Sequence, residues 1–184
     1  GFTINDEIEN LRAAQEHLKI VNLGATAIGT TVTAAPGYPE LAVKNLAELT
    51  GIDFKNSEDL IAATSDCGAY MTLSSAIKGL AVKMTKVCND IRLLASGPRC
   101  GLKEINLPQL QPGSSIMPGK VNPVAAEVAN QASFLAIGLD TTVMLAASAG
   151  QLELNVMEPV ITFALYTQMK VMTNACDTLR TKLV

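Results

Sequence analysis

The groups best suited to chemistry stand close together, in residues 113–123: Gly-Ser-Ser-Ile-Met-Pro-Gly-Lys-Val-Asn-Pro. Two hydroxyls (Ser114 and Ser115), a cation (Lys120) and an amide (Asn122) are set among two glycines and two prolines. Glycine and proline break a regular helix and point to a loop of special backbone geometry. Such a loop suits an anionic small molecule. Lys120 supplies a point charge, Asn122 and the hydroxyls supply hydrogen-bond partners, and backbone N–H groups around the glycines are further donors. A Ser/Gly/Pro-rich connector can also be plain solvated loop, and composition alone favours that reading. The surroundings shift the balance towards function.

Other reactive side chains are few. His17 is the single histidine; on a helix and outside any motif, it reads as an ordinary surface or packed residue. Cys67, Cys88, Cys100 and Cys176 lie far apart with no Cys-x-x-Cys pair, which excludes the usual zinc spacings and a disulfide framework. Four free, buried thiols in a reducing cytoplasm are expected, with no cofactor and no metal site. Arg99 is either an anion-binding cation or, the commoner case, half of a structural ion pair. A net charge of −3 leaves no basic footprint for nucleic acid. No run of about 18 uninterrupted apolar residues marks a membrane span. The start, Gly1-Phe2-Thr3, has no initiator methionine and no signal-peptide pattern, as in an excised segment of a longer protein.

Five helical stretches and one short helix, separated by turn signals, account for nearly the whole chain, and no strand is expected. The first opens at Thr3, with Asp6 completing a capping-box variant, and carries Ile4, Ile8, Leu11, Ala14, Leu18 and Val21 at steps of three or four. Residues 24–33 are ambiguous between helix and loop. A second helix starts near Pro39 and ends at Gly51, and Asn56 or Ser57 caps a short one. The longest runs from about Asp66 to Ser96, with a stripe at Leu73, Ile77, Leu80, Met84, Val87, Ile91 and Leu94 whose period of 3.5 marks nearly parallel packing in a bundle. Residues 97–122 form a connector, too long for an idle loop and too rich in interleaved apolar residues for disorder. Asn122 as cap and Pro123 at the first position start the fourth helix, which reaches about Ser148; the fifth starts near Glu158-Pro159. With 48% hydrophobic and 17% charged residues, the chain cannot easily cover its own surface and should bury faces against other copies of itself. An all-α, long-helix up-down bundle forming a single domain over residues 1–184 is the expected architecture.

A loop of this composition between two long helices resembles the signature loop of the aspartase/fumarase superfamily, tetrameric lyases that eliminate ammonia, water or an amine across a C–C bond to leave fumarate. Residues 23–30 (Leu-Gly-Ala-Thr-Ala-Ile-Gly-Thr), 94–101 (Leu-Ala-Ser-Gly-Pro-Arg-Cys-Gly) and 150–159 (Gly-Gln-Leu-Glu-Leu-Asn-Val-Met-Glu-Pro) resemble further family stretches, the last in its aspartase form. The resemblance covers essentially the whole chain. The family's two upstream site regions, one Thr/Ser/Asn-rich and one carrying a catalytic histidine, have no counterpart here, nor has its small C-terminal domain. The chain therefore resembles the central bundle segment, holding one of three parts of an active site shared between subunits.

The resemblance implies roles. Ser114 matches the base that removes the Cβ proton. Glu127 matches the carboxylate that orients another subunit's histidine. Ser115, Met117, Lys120, Val121 and Asn122 match substrate-binding positions, although Met117 can equally be core packing and Glu127 a surface residue. The implied activity is carbon–nitrogen lyase: reversible deamination of L-aspartate to fumarate and ammonia through an aci-carboxylate, in a homotetramer that needs no cofactor. Class II fumarate hydratase is the alternative, and a non-catalytic, crystallin-like scaffold is the rival of a different kind.

Overall fold

The computed structural model describes residues 2–183. Helices form where apolar spacing and breakers place them: α1 (Phe2–His17), α2 (Tyr38–Thr50), α3 (Leu60–Ser65), α4 (Gly68–Leu94), α5 (Val124–Ala147) and α6 (Glu158–Lys182). α5 packs along both α4 and α6, and α1 lies against α4. With 27 residues, α4 is about 40 Å long. The result is the all-α bundle that the pattern called for.

Small side chains build the core. Ala81, Ala126, Ala129, Ala136 and Ala164 are wholly buried, and methyl-sized contacts let helix axes approach at the short end of the usual 8–10 Å. On α4 the buried positions are Ser74, Ile77, Ala81, Met84 and Cys88. Ile77 and Met84 of the expected stripe are therefore central, and Leu73, Leu80 and Ile91 pack at its margins. Val87 and Leu94 face outwards instead. Ser74, Ala81 and Cys88, seven residues apart, take the seam and rotate the helix away from the bulkier pattern.

Three carboxylate or amide contacts pin the bundle. Glu7 is only 6% exposed. Its carboxylate meets Lys83 Nζ of α4 at 2.5 Å, and Gly79 makes room for it, since a Cβ there would lie 2.7 Å from Oε2. Asp140 of α5 accepts from Ser74 at 2.8 Å and Lys78 at 2.5 Å. Fully buried Gln168 of α6 donates to the Ala136 carbonyl at 2.9 Å. At the α5–α6 corner, Asn155 donates to the carbonyls of Ala146 (3.0 Å) and Ala147 (3.2 Å) and accepts from Met157 N (2.8 Å), closing one helix and starting the next.

Several local expectations need correction. α1 ends at His17, and Ile20–Val21 (β1) pairs in parallel with Lys55–Asn56 (β2) where no strand was foreseen. The pairing rests on Lys55 N to Lys19 O and Ser57 N to Val21 O, both 2.9 Å, and is too short to need an alternating pattern. Thr3 lies inside α1, so it caps nothing, and its carbonyl accepts from Lys83 Nζ at 3.1 Å. Asp59, rather than Asn56 or Ser57, caps α3, accepting from Ile61 N and Ala62 N at 3.0 Å each. Residues 24–33 are turns; Gly29 lies so close on α3 that a Cβ would fall 2.3 Å from Ile61 Cα. Cys67 and Cys88 are buried, which pushes their thiols up in pKa. Cys100 and Cys176 are exposed, against expectation. Among the described residues, no helix is long and apolar enough to cross a membrane.

Candidate active site

The connector after α4 is folded tightly on itself. Ser96 Oγ donates to Leu93 O at 2.6 Å and accepts from Leu102 N at 3.1 Å. Lys103 N and Glu104 N donate back to Ser96 O and Leu94 O, both at 2.8 Å. Residues 96–103 thereby form a closed turn on the end of α4. Gly101 is required there, since a Cβ would fall 2.2 Å from the Ser96 carbonyl carbon.

The second half closes in the same way. A Cβ on Gly113 would meet the Lys120 carbonyl oxygen at 2.8 Å, so the two ends of the 113–120 loop touch. Inside it, Ser114 Oγ accepts from Ile116 N at 3.2 Å and Met117 N at 3.3 Å. Lys120 N donates to Met117 O at 3.2 Å. Two backbone donors aimed at one oxygen favour its charged form. This hydroxyl is therefore placed better than most to carry negative charge.

Ser114, Lys120, Val121 and Asn122 are half-buried, while Ser115 and Met117 are exposed. Lys120 has no ion-pair partner among the described residues. Asn122 is not the helix cap that its position suggested. α5 begins at Val124, with Pro123 in the cap position and no side-chain cap hydrogen bond. Pro123 offers no side-chain oxygen, so the first turn of α5 carries no side-chain cap. Uncapped amides and the helix dipole together favour an anion there. Glu127 lies in that first turn, half-buried, its N–H bonded to Pro123 O at 3.0 Å.

One loop thus carries Ser114, Ser115, Met117, Lys120, Val121 and Asn122, with Glu127 on the helix that follows it directly. His17 is not part of this group. It sits at the end of α1 and lines a separate hollow of about 450 Å³ with Asp66, Tyr70 and Glu158. A hollow of about 670 Å³ between α2 and residues 54–60 holds none of the expected site residues either. Arg99 makes no ion pair among the described residues, contrary to the commoner expectation. With Ser96 and Cys100 it lines a hollow of about 530 Å³ whose other wall is Ile116, Met117 and Pro118. Sequence spacing hides that proximity, because it depends on both halves of the connector folding back. The clue was the pair of glycine-bearing turns, Gly97-Pro98 and Pro118-Gly119, that bracket it.

A family model described as a lyase matches residues 3–138. The chain belongs to the aspartase/fumarase lyase family. Aspartate ammonia-lyase of Escherichia coli strain K12 is 59% identical over 184 residues, spanning 100% of this chain and 38% of that protein. The aspartate ammonia-lyase of Corynebacterium glutamicum is 58% identical over the same length, covering 35% of its own chain. Thus the chain spans little more than a third of these relatives. Among solved structures, a fumarate lyase:delta crystallin from Brucella melitensis bound to cobalt matches with a TM-score of 0.94 at 44% identity, over 97% of this chain and 39% of that one. A class II fumarase from Schistosoma mansoni matches at 0.89 and 31% identity, over 97% and 40%. Members of this family with different named activities therefore share the bundle closely.

Proposed function

We propose that the protein carrying this chain is an aspartate ammonia-lyase, converting L-aspartate to fumarate and ammonia. The carrying observation is the pair of backbone N–H groups on Ser114 Oγ. A neutral serine is a very weak base, and removal of a proton next to a carboxylate requires a strong one. Donors that stabilise the alkoxide bring the two closer. Ser114 takes the Cβ proton, and the electron pair moves into the adjoining carboxylate to give a dianionic aci-carboxylate. Lys120, Asn122 and the uncapped amides of α5 offset that growing charge, an interaction stronger in the transition state than in the ground state. The electrons then return to form the Cα–Cβ double bond as the C–N bond breaks and ammonia leaves. Ser115, Met117 and Val121 shape the pocket. Glu127 orients a histidine supplied by another subunit of a cytoplasmic homotetramer, in a site completed by regions outside this chain.

The similarity to aspartate ammonia-lyases at 58–59% identity supports ammonia over water as the leaving group. Fumarate hydratase is the second reading, favoured by the shared dicarboxylate chemistry and the fumarase likeness. Fumarate formation from L-aspartate and from L-malate, measured on the same full-length protein, decides between them. Turnover of malate alone replaces the first reading with the second, and turnover of neither leaves the scaffold reading.

A further inference from the structure

We propose that Asn130 is a positioning residue for the reaction: its hydrogen bond to Asn89 of α4 fixes the rotation of the start of α5, and so the direction of the Glu127 carboxylate. This rests on the reading of Glu127 given above. α5 begins with no side-chain cap and buries Ala125, Ala126 and Ala129 in its first two turns. Methyl groups pack closely but carry no direction, so a helix docked through alanines alone turns easily about its axis. A polar contact has a direction. Asn130, only 2% exposed, supplies it, its Nδ2 donating to Asn89 Oδ1 at 2.7 Å. Arg92 Nη1 reaches the same oxygen at 3.4 Å and steadies it from α4.

Among the described residues, the other side-chain hydrogen bonds between α4 and α5 all run to Asp140, from Ser74, Ser75 and Lys78. Asp140 stands about 15 Å further along the helix than Asn130. The Asn89 bond is therefore the directional contact at the end of α5 that joins the signature loop. Glu127 lies one turn before Asn130, beside it on the helix surface and roughly 60° round from it. A small rotation of α5 swings that carboxylate sideways. The amide is kept although it is only half satisfied: Asn130 Oδ1 is buried and meets no donor among the described residues. An apolar side chain of similar size would suit packing better, since it leaves no buried acceptor unpaired. Stability alone therefore does not explain an asparagine here. Aiming a carboxylate does, because displacing a positioned group by about 1 Å can slow a reaction about a hundredfold.

The full-length protein carries the test. Asn89→Ala breaks the bond from the exposed side of α4 and leaves the core of α5 untouched. It is expected to lower kcat for L-aspartate about tenfold with KM within about twofold. Asn89→Asp keeps an acceptor for Asn130 and should restore the wild-type rate. Ser75→Ala removes a 3.4 Å bond to Asp140 between the same two helices. It controls for general loosening and should match the wild type. The decisive variant combines Asn89→Ala with Glu127→Gln. If the bond acts through Glu127, its loss should lower kcat by less than about twofold once that carboxylate is gone. A tenfold loss in both backgrounds would overturn the assignment, as would a wild-type kcat in folded Asn89→Ala. Should the wild type release fumarate from neither L-aspartate nor L-malate, the functional reading falls. Hydrogen exchange of the 124–129 amides needs no turnover and still tests the contact. Faster exchange in Asn89→Ala, reversed in Asn89→Asp, supports it, and unchanged exchange overturns it.

Discussion

Ser114 and Ser115 are neighbours with the same side chain, yet the structure treats them differently. Ser114 Oγ is half-buried and accepts two backbone N–H groups, whereas Ser115 is exposed. Their substitutions should separate accordingly. Ser114→Ala is expected to lower kcat by several orders of magnitude with binding largely kept, and Ser115→Ala mainly to raise KM. Exchange of the Cβ hydrogen of aspartate with solvent deuterium checks the step itself. Exchange that persists in Ser114→Ala removes the residue from its role, and a reversed pattern moves the base to Ser115. Lys120→Ala should harm both constants, by about 2–4 kcal/mol in kcat/KM, because its carboxylate is charged in the ground state and gains charge in the transition state. Steady-state kinetics at saturating and limiting aspartate show whether both change. These side chains were legible in the sequence because they are contiguous and chemically dense. Arg99 was visible as a cation but not as the wall of a hollow, since the residues opposite are 17–19 positions away and meet it only through two turns.

At the scale of elements, helices were legible and their registers less so. Apolar steps of three and four, with Gly51, Gly97-Pro98 and Gly150 as stops, located every helix of the bundle. The two-residue strands and the Asp59 cap escaped, because a pairing this short leaves no periodic trace and several capping residues crowd residues 56–59. Glu7 escaped for another reason. A buried acid is affordable only beside a cation and a glycine some 70 residues further on, which no local pattern displays. The Lys83 ammonium bonded to Glu7 holds its carboxyl below the usual range, despite the opposing cost of burial. A depressed carboxyl pKa stabilises the fold fully above the unfolded value, near 4.5, and the gain is lost as pH falls through the lower folded value. Glu7→Gln should therefore cost roughly 1–2 kcal/mol at pH 7, between surface and fully buried pairs, and less at pH 3, below the unfolded value. Urea midpoints at the two pH values measure this, and a deficit undiminished at pH 3 points to packing rather than charge. Asn155→Ala, which strips three hydrogen bonds from the α5–α6 corner, should cost about 2–3 kcal/mol at either pH. Stability within about 0.5 kcal/mol of wild type would mean that water replaces the amide there.

The molecule as a whole keeps too much apolar surface for a lone bundle. Phe163 is 65% exposed and Tyr166 68% exposed on α6, and Phe134, Leu135 and Leu145 stand uncovered on α5. These positions lie off the buried faces of their helices, so the bundle that closes the core still leaves apolar stripes on its outside. Large exposed apolar stripes on long helices are what a helical assembly buries, and each such side chain is worth about 1.5–3 kcal/mol when covered. In a symmetric tetramer every substitution is repeated four times, which multiplies its effect on assembly. Phe163→Glu keeps helix propensity and removes nothing from the bundle's own core, so the chain should still fold. It should nevertheless lower the mass measured by light scattering at micromolar concentration, with dissociation that deepens on dilution. Activity should fall in step, because Glu127 is proposed to orient a histidine from another subunit. Kinetics and light scattering on the same dilution series bring the two together. A variant that dissociates but still releases fumarate at the wild-type rate would mean that the site is completed within one chain. A wild type that stays monomeric would leave the exposed stripes to some other partner.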